Sequence, residues 1–331
     1  MRTSKGGRKF FLTAAIWIPV LFLSLVSRPV FAAWTPTKPI ELVVPAGPGG
    51  GSDVLARTLV SIIEAEKLSP VNLVVVNRPG GGSLVGMTAV AQQKGNPHVL
   101  MTYHSGQVGA PHVAGQAVAT YRDFTLLASI AIDEQILCVK ADAPYKTVKD
   151  LIATAKDRGG AMTVGGVTTG QDDHLCNRLL ERAAGIKTRF VSFNGGGENL
   201  TAVLGGHVDC IWANPSEVAP ALEGKQARAL AVAKETRLTY MADVPTFKEL
   251  GYDVTWKMFR GIVGTPAIPP EAVAFYETML KRATESSRWK EGFLKRYMLT
   301  ASWSGHQEFT TFVGQQEQVT VGILKELGLI K

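Results

Sequence analysis

The sequence predicts an α/β fold in two lobes, each a mainly parallel sheet flanked by helices, with two strands crossing between them. Three observations carry this. An apolar strand, a glycine-rich polar turn and an amphipathic helix recur in that order along the chain. A long apolar run over 128–140, interrupted by Asp133, Glu134 and Gln135, separates two groups of such units. The length, 331 residues, also exceeds what one core usually serves.

The N-terminus is a targeting segment and is set aside before the fold is read. Arg2, Lys5, Arg8 and Lys9 precede an apolar stretch over 10–26, and Val30-Phe31-Ala32 offers a cleavage-like end near Ala32. Pro19 interrupts the stretch, which is short for a membrane span, so residues 1–32 read as a cleaved signal peptide and the product is expected in the periplasm. The segment also distorts the charge. The whole chain carries 35 basic and 28 acidic residues, a net +7; removing the five basic residues of the segment leaves 30 against 28, a net +2. Nucleic-acid binding is therefore not indicated by basicity. Cys138, Cys176 and Cys210 form an odd set without metal-ligand spacing; Cys138 and Cys210 lie in strand-like runs and read as buried thiols, although one pair could bridge in an oxidising compartment.

The remaining chain divides into a first lobe over 33–132, a second over 133–256, and a return to the first over 257–331, where helices run to the C-terminus. The first unit is the most informative. Leu42-Val43-Val44 reads as a buried strand, and Pro45-Ala46-Gly47-Pro48-Gly49-Gly50-Gly51 as a turn. Ser52 or Asp53 is then expected to cap a helix burying Leu55, Leu59, Ile62 and Ile63. Glycines leave amide N–H groups open and the helix start adds partial positive charge, so this turn suits an anion. No Lys or Arg lies in it, so backbone dipoles are expected to hold the anion without an ion pair. The spacing matches neither a dinucleotide nor a phosphate-loop motif.

The pattern then repeats. Leu73-Val74-Val75-Val76 leads into Asn77-Arg78-Pro79-Gly80-Gly81-Gly82-Ser83 and a helix with Leu84, Val85 and Val90 inward. Val99-Leu100-Met101-Thr102 ends in Tyr103-His104-Ser105-Gly106, which puts His104 and Ser105 where a ligand edge could fall. In the second group, Met162-Thr163-Val164-Gly165-Gly166 precedes a turn and a helix carrying Leu175, Leu179 and Leu180, and Phe190-Val191-Ser192-Phe193 precedes Asn194-Gly195-Gly196-Gly197. Asn214 and Ser216 lie in a further polar turn as hydrogen-bonding candidates. Ligands of such sheets bind beyond the carboxyl ends of the strands, where these turns collect. A second crossing fits 254–264, with Trp256 and Phe259 as hinge packing. Two lobes joined by two strands make a hinge that closes around a small molecule.

From Trp34 to the C-terminus the chain resembles the extracytoplasmic solute receptors of the tripartite tricarboxylate transporter family, the Bug-type binding proteins. The resemblance rests on Trp34-x-Pro36-x-Lys38-Pro39-Ile40, the 44–53 turn with Arg57, Asn77-Arg78-Pro79-Gly80, Val191-Ser192-Phe193-Asn194-Gly195-Gly196-Gly197, Leu204-Gly205-Gly206-His207-Val208-Asp209 and Val244-Pro245-Thr246. It implies a type II (Venus flytrap) periplasmic binding protein that closes over a small organic di- or tricarboxylate as a monomer and delivers it to the transporter's membrane subunits. By position it assigns Ala46, Gly47, Gly50, Ser52 and Asp53 to the ligand in the first lobe, and Thr168, Thr169, Gly170, His174, Phe193, Asn194, Gly195 and Gly196 in the second. Asn96-Pro97-His98 and Gln171-Asp172-Asp173 depart from the commoner family pattern.

Asp53 suits a mixed role, its carboxylate shaping the loop whose amides bind. Asp172 and Asp173, in a first helical turn, either point away as caps or pair with a ligand hydroxyl or ammonium. His174 could donate to a carboxylate. No catalytic residue, cofactor or metal is expected. The competing readings are a ligand sensor feeding a sensor kinase and a periplasmic hydrolase using Cys176 or a serine; no Gly-x-Ser-x-Gly elbow or His-Glu-x-x-His motif supports the latter.

Overall fold

The computed structural model describes residues 1–3, 6–7, 34–115, 118–193 and 195–331. It comprises two compact units, Met1–Ala32 and Ala33–Lys331. The expected signal peptide falls largely outside the described residues, as does Asn194. Among the described residues, the strands and helices belong to the second unit.

The first part of that unit alternates β1 (Ile40–Val44), α1 (Gly51–Ala65), β2 (Leu73–Asn77), α2 (Leu84–Ala91), β3 (Val99–His104), α3 (Gly106–Ala114) and β4 (Thr125–Asp133). Then come β5 (Ile136–Lys140), α4 (Val148–Asp157), β6 (Thr163–Val167), α5 (Asp172–Ala184), β7 (Arg189–Phe193), α6 (Gly196–Leu204), β8 (Cys210–Ala213), α7 (Pro215–Glu223) and β9 (Ala227–Val232). The chain closes with β10 (Met258–Gly264), α8 (Pro270–Glu285), β11 (Thr300–Ser304) and α9 (His306–Glu326).

Two sheets result. One has six strands in the order β11-β4-β10-β3-β1-β2, the other five in the order β7-β6-β8-β5-β9. The two-lobed α/β class holds, with a difference in pairing. Strands joined by helical crossovers pair in parallel: β1 with β2 and β3, and β6 with β7 and β8. The strands that carry the chain between sheets pair antiparallel, making both sheets mixed. The reason is directional: a chain that leaves the first sheet on β4 and returns on adjacent β10 must run both ways. Only Glu134 and Gln135 separate β4 from β5, so the first crossing is tight.

Helices α1 and α5 bury the face their spacing encodes, whereas α2 departs from it. On α1, Leu55, Leu59, Ile62 and Ile63 are buried, and on α5 Leu175, Leu179 and Leu180. On α2 the inward residues are Met87 and Val90, whereas Val85 is exposed. Phe259 is fully buried with Phe309 and Val313. The far end of α9 leaves that core: Ile323 and Leu324 pack in the core of the other lobe, with Trp212 and Trp256. At ~1.5 Å per residue a helix of this length reaches about 30 Å, enough to serve both cores. Cys138, Cys176 and Cys210 are free and buried.

Candidate ligand-binding cleft

The strand-to-helix turns of both lobes meet at one cleft. It comprises two adjoining cavities of about 360 and 340 Å³, which share Gly50, Gly51, Gly196, Asn214, Glu217 and Arg260. The starts of α1, α5, α6 and α7 all open onto it. Two non-glycine residues with left-handed backbone, Ser83 (φ 82°) and Thr168 (φ 49°), also line it, and strain of this kind concentrates at ligand sites.

The first turn is built around Asp53. Neither Ser52 nor Asp53 caps α1; Gly50 takes the N-cap position without a side-chain bond. The buried Asp53 carboxylate instead accepts from the Gly49 amide, Arg57 Nε and Asn77 Nδ2, each at 2.9 Å. Asn77 Nδ2 also reaches the Ala46 carbonyl at 3.1 Å. Burial alone would raise the Asp53 pKa, but the bonds from Arg57, Gly49 and Asn77 outweigh it and hold the carboxyl below its ordinary range. With Asp53 so engaged, the amides of Gly50, Gly51 and Ser52 donate to no partner among the described residues. They remain available to an anion at the helix start.

Backbone dipoles are not the only positive charge beside this turn, because Arg260 lies next to it. This buried residue of β10 reaches the start of α1; a β-carbon on Gly51 would fall 2.9 Å from its Nη2. Its Nε and Nη2 donate to Asp133 Oδ2 at 3.2 and 2.6 Å. Its Nη1 makes no hydrogen bond among the described residues. His104, on the same wall, accepts from the Gly106 amide through Nδ1 at 3.2 Å. Burial, aided by Arg260, pushes its pKa down to about 3. It is therefore neutral, with Nε2 as the protonated nitrogen and a donor. The cavity is thus lined by a helix-start turn, a guanidinium and a neutral imidazole.

Three further lining residues are acidic. Asp172 is buried and accepts from Ser105 Oγ at 2.5 Å and Trp256 Nε1 at 2.7 Å, bridging the turn after β3, α5 and the returning chain. Burial raises its pKa against those two bonds. Asp173 accepts from the Val167 amide at 2.6 Å. Burial and the neighbouring Glu217 push it well above the carboxylate range. Glu217, also raised by burial, accepts from the Asn214 amide at 3.1 Å. A β-carbon at 196 would fall 2.3 Å from the Glu217 carboxyl, so a larger residue there would displace that side chain.

Of the residues the sequence assigns to the ligand, Ala46, Gly47, Gly50, Ser52, His104, Thr168, Gly195, Gly196 and Asn214 line the cleft. Asp53 and Ser105 lie behind its wall, spent on the loop and on Asp172. Thr169, Gly170, His174 and Phe193 are not among the lining residues. His174 accepts from the Gly170 amide at 3.1 Å and stacks on Phe190, centroids 4.2 Å apart. Gln135, Arg260, Glu217 and Asp133 line the cleft without having been singled out. The available signal for Arg260 was a lone charge within the apolar run Met258-Phe259-Arg260-Gly261-Ile262-Val263. Among the described residues no group of His, Cys, Asp or Glu could hold a metal ion. Cys176 is fully buried, and burial lifts its thiol far above the range of a nucleophile.

Two α/β lobes closing on a cleft rich in helix starts define the class of a small-molecule binding protein. The chain belongs to the tripartite tricarboxylate transporter family of receptors, whose model matches residues 56–329. It is similar to BugT of Bordetella pertussis, 25% identical over 307 residues, covering 92% of this chain and 93% of that one. It is also similar to a TctC solute-binding protein from Polaromonas, solved without ligand, at 28% identity and a TM-score of 0.73, covering 88% and 99% of the two chains. Two structures from Rhodopseudomonas palustris, each 22% identical, share the fold: MatC with bound malate (TM-score 0.76, coverage 87% and 99%) and Rpa4515 with adipate (TM-score 0.79, coverage 88% and 98%).

Proposed function

We propose that the protein is a periplasmic receptor that closes its lobes, 33–132 with 257–331 and 133–256, over a small organic acid and presents it to membrane subunits of a tripartite tricarboxylate-type transporter. The observation that carries this is the open Arg260 Nη1 beside the unbonded amides at the start of α1. A carboxylate seated there gains a charge-assisted bond in a cleft of ligand size. The malate and adipate held by structures of the same fold support an organic acid as the cargo. The first-lobe side of the cleft offers one such carboxylate position, with His104 Nε2 as a further donor.

The test is thermal unfolding of residues 33–331 against a panel of organic acids, sugars, amines and metal salts. A ligand present at 100 times its Kd stabilises by about 2.7 kcal/mol, a shift of a few degrees for a chain of this size. Stabilisation by an acid is expected. Stabilisation only by ligands without a carboxylate overturns the reading.

A further inference from the structure

We propose that the ligand carries, besides its docked carboxylate, a nitrogen-borne hydrogen-bond donor, an amide or ammonium group, and that Asp133, Gln135, Asp173 and Glu217 receive it. This rests on the carboxylate reading above and narrows its substrate class to acids with one carboxylate and one N–H-bearing group.

Two buried acceptors lining the cleft stand unsatisfied. Gln135 is fully buried, its Nε2 is directed to Met258 Sδ at 3.6 Å, and its Oε1 has no partner among the described residues. Asp133 gives Oδ2 to Arg260, while its buried Oδ1 has none. A buried acceptor without a donor costs free energy until something supplies one. The rest of the wall has the same polarity. Asp173 and Glu217 face the cavity from the starts of α5 and α7, and Arg260, the one cation among the cleft's lining residues, already shares its charge with Asp133. A second ligand carboxylate placed there would bring further acceptors to a wall whose unsatisfied atoms are already acceptors, the arrangement by which sites reject a wrong ligand. An N–H group supplies the donor that Gln135 and Asp133 lack. Asp172 stands apart in that its Oδ1 is shared by Ser105 and Trp256.

The experiment is calorimetric titration of residues 33–331 with succinate, glutarate and adipate, with their monoamides, and with the ω-amino acids of matching backbone length. At least one monoamide or amino acid is expected to bind tenfold or more tightly than the dicarboxylate of its length; which set wins separates amide from ammonium. Glu217→Gln, which keeps the capping geometry at α7, is expected to weaken that ligand several-fold. A dicarboxylate that binds more tightly than both counterparts overturns this inference and leaves the organic-acid receptor standing, with protonated Asp173 or Glu217 then donating to it. Binding only of the corresponding diamines overturns the organic-acid reading and this inference together.

Discussion

Three donors meet on the Asp53 carboxylate: the Gly49 amide and Arg57 from the same turn and helix, and Asn77 from the end of β2. The residue shapes the turn, and the turn's amides face the cleft. Because its folded pKa lies below the ordinary 3.8, ionised Asp53 stabilises the fold above that value. The contribution fades as pH falls through the folded pKa. Asp53→Asn is predicted to cost about 1–3 kcal/mol near neutral pH, and the deficit should shrink in acid. Urea unfolding midpoints at both pH values check this; an equal deficit at both contradicts the assignment. The loop-shaping half of the role expected for Asp53 was legible from its place in a helix's first turn. Arg260 was not, because its importance depends on β10 lying beside β3 and β4, and strand order is not written in local pattern. Asp172 and Asp173 were legible as a problem, two acids at a helix start, but their burial was not.

At the level of elements, the alternation of apolar strands and glycine-rich turns announced the parallel parts of both sheets, since each such turn must lead a crossover helix back across the sheet. The antiparallel strands were harder to read. β11 lies in a stretch read as helical, and β9 lacks a glycine-rich turn. α9 shows what periodicity leaves open. Its apolar face was encoded, but one end packs with Phe259 and the other with Trp212 and Trp256. Leu324 is fully buried at that second end. Leu324→Ala is predicted to destabilise the protein by about 2–5 kcal/mol, measured by denaturant unfolding. A loss within about 0.5 kcal/mol, of the size typical for surface positions, would show that α9 does not brace the second lobe.

For the molecule as a whole, the two crossings put the chemistry at the hinge. Asp133 ends the strand that leaves the first sheet, and Arg260 sits on the strand that returns, so their pair at 2.6 Å joins the two hinge strands beside the α1 turn. A ligand carboxylate on Arg260 Nη1 would therefore be felt by the first-lobe turn and the hinge together. Such a coupling suits a protein whose lobes close over their cargo. Arg260→Gln keeps hydrogen-bonding capacity at the site and removes the charge. The most direct measurement is calorimetric titration of the acid that most stabilises the unaltered chain into that chain and into Arg260→Gln, with folding of the variant checked by circular dichroism. Loss of a charged hydrogen bond, about 1.5–3 kcal/mol, predicts an affinity roughly ten- to a hundredfold weaker. Unchanged affinity in a folded variant would contradict the cleft as the seat of the carboxylate.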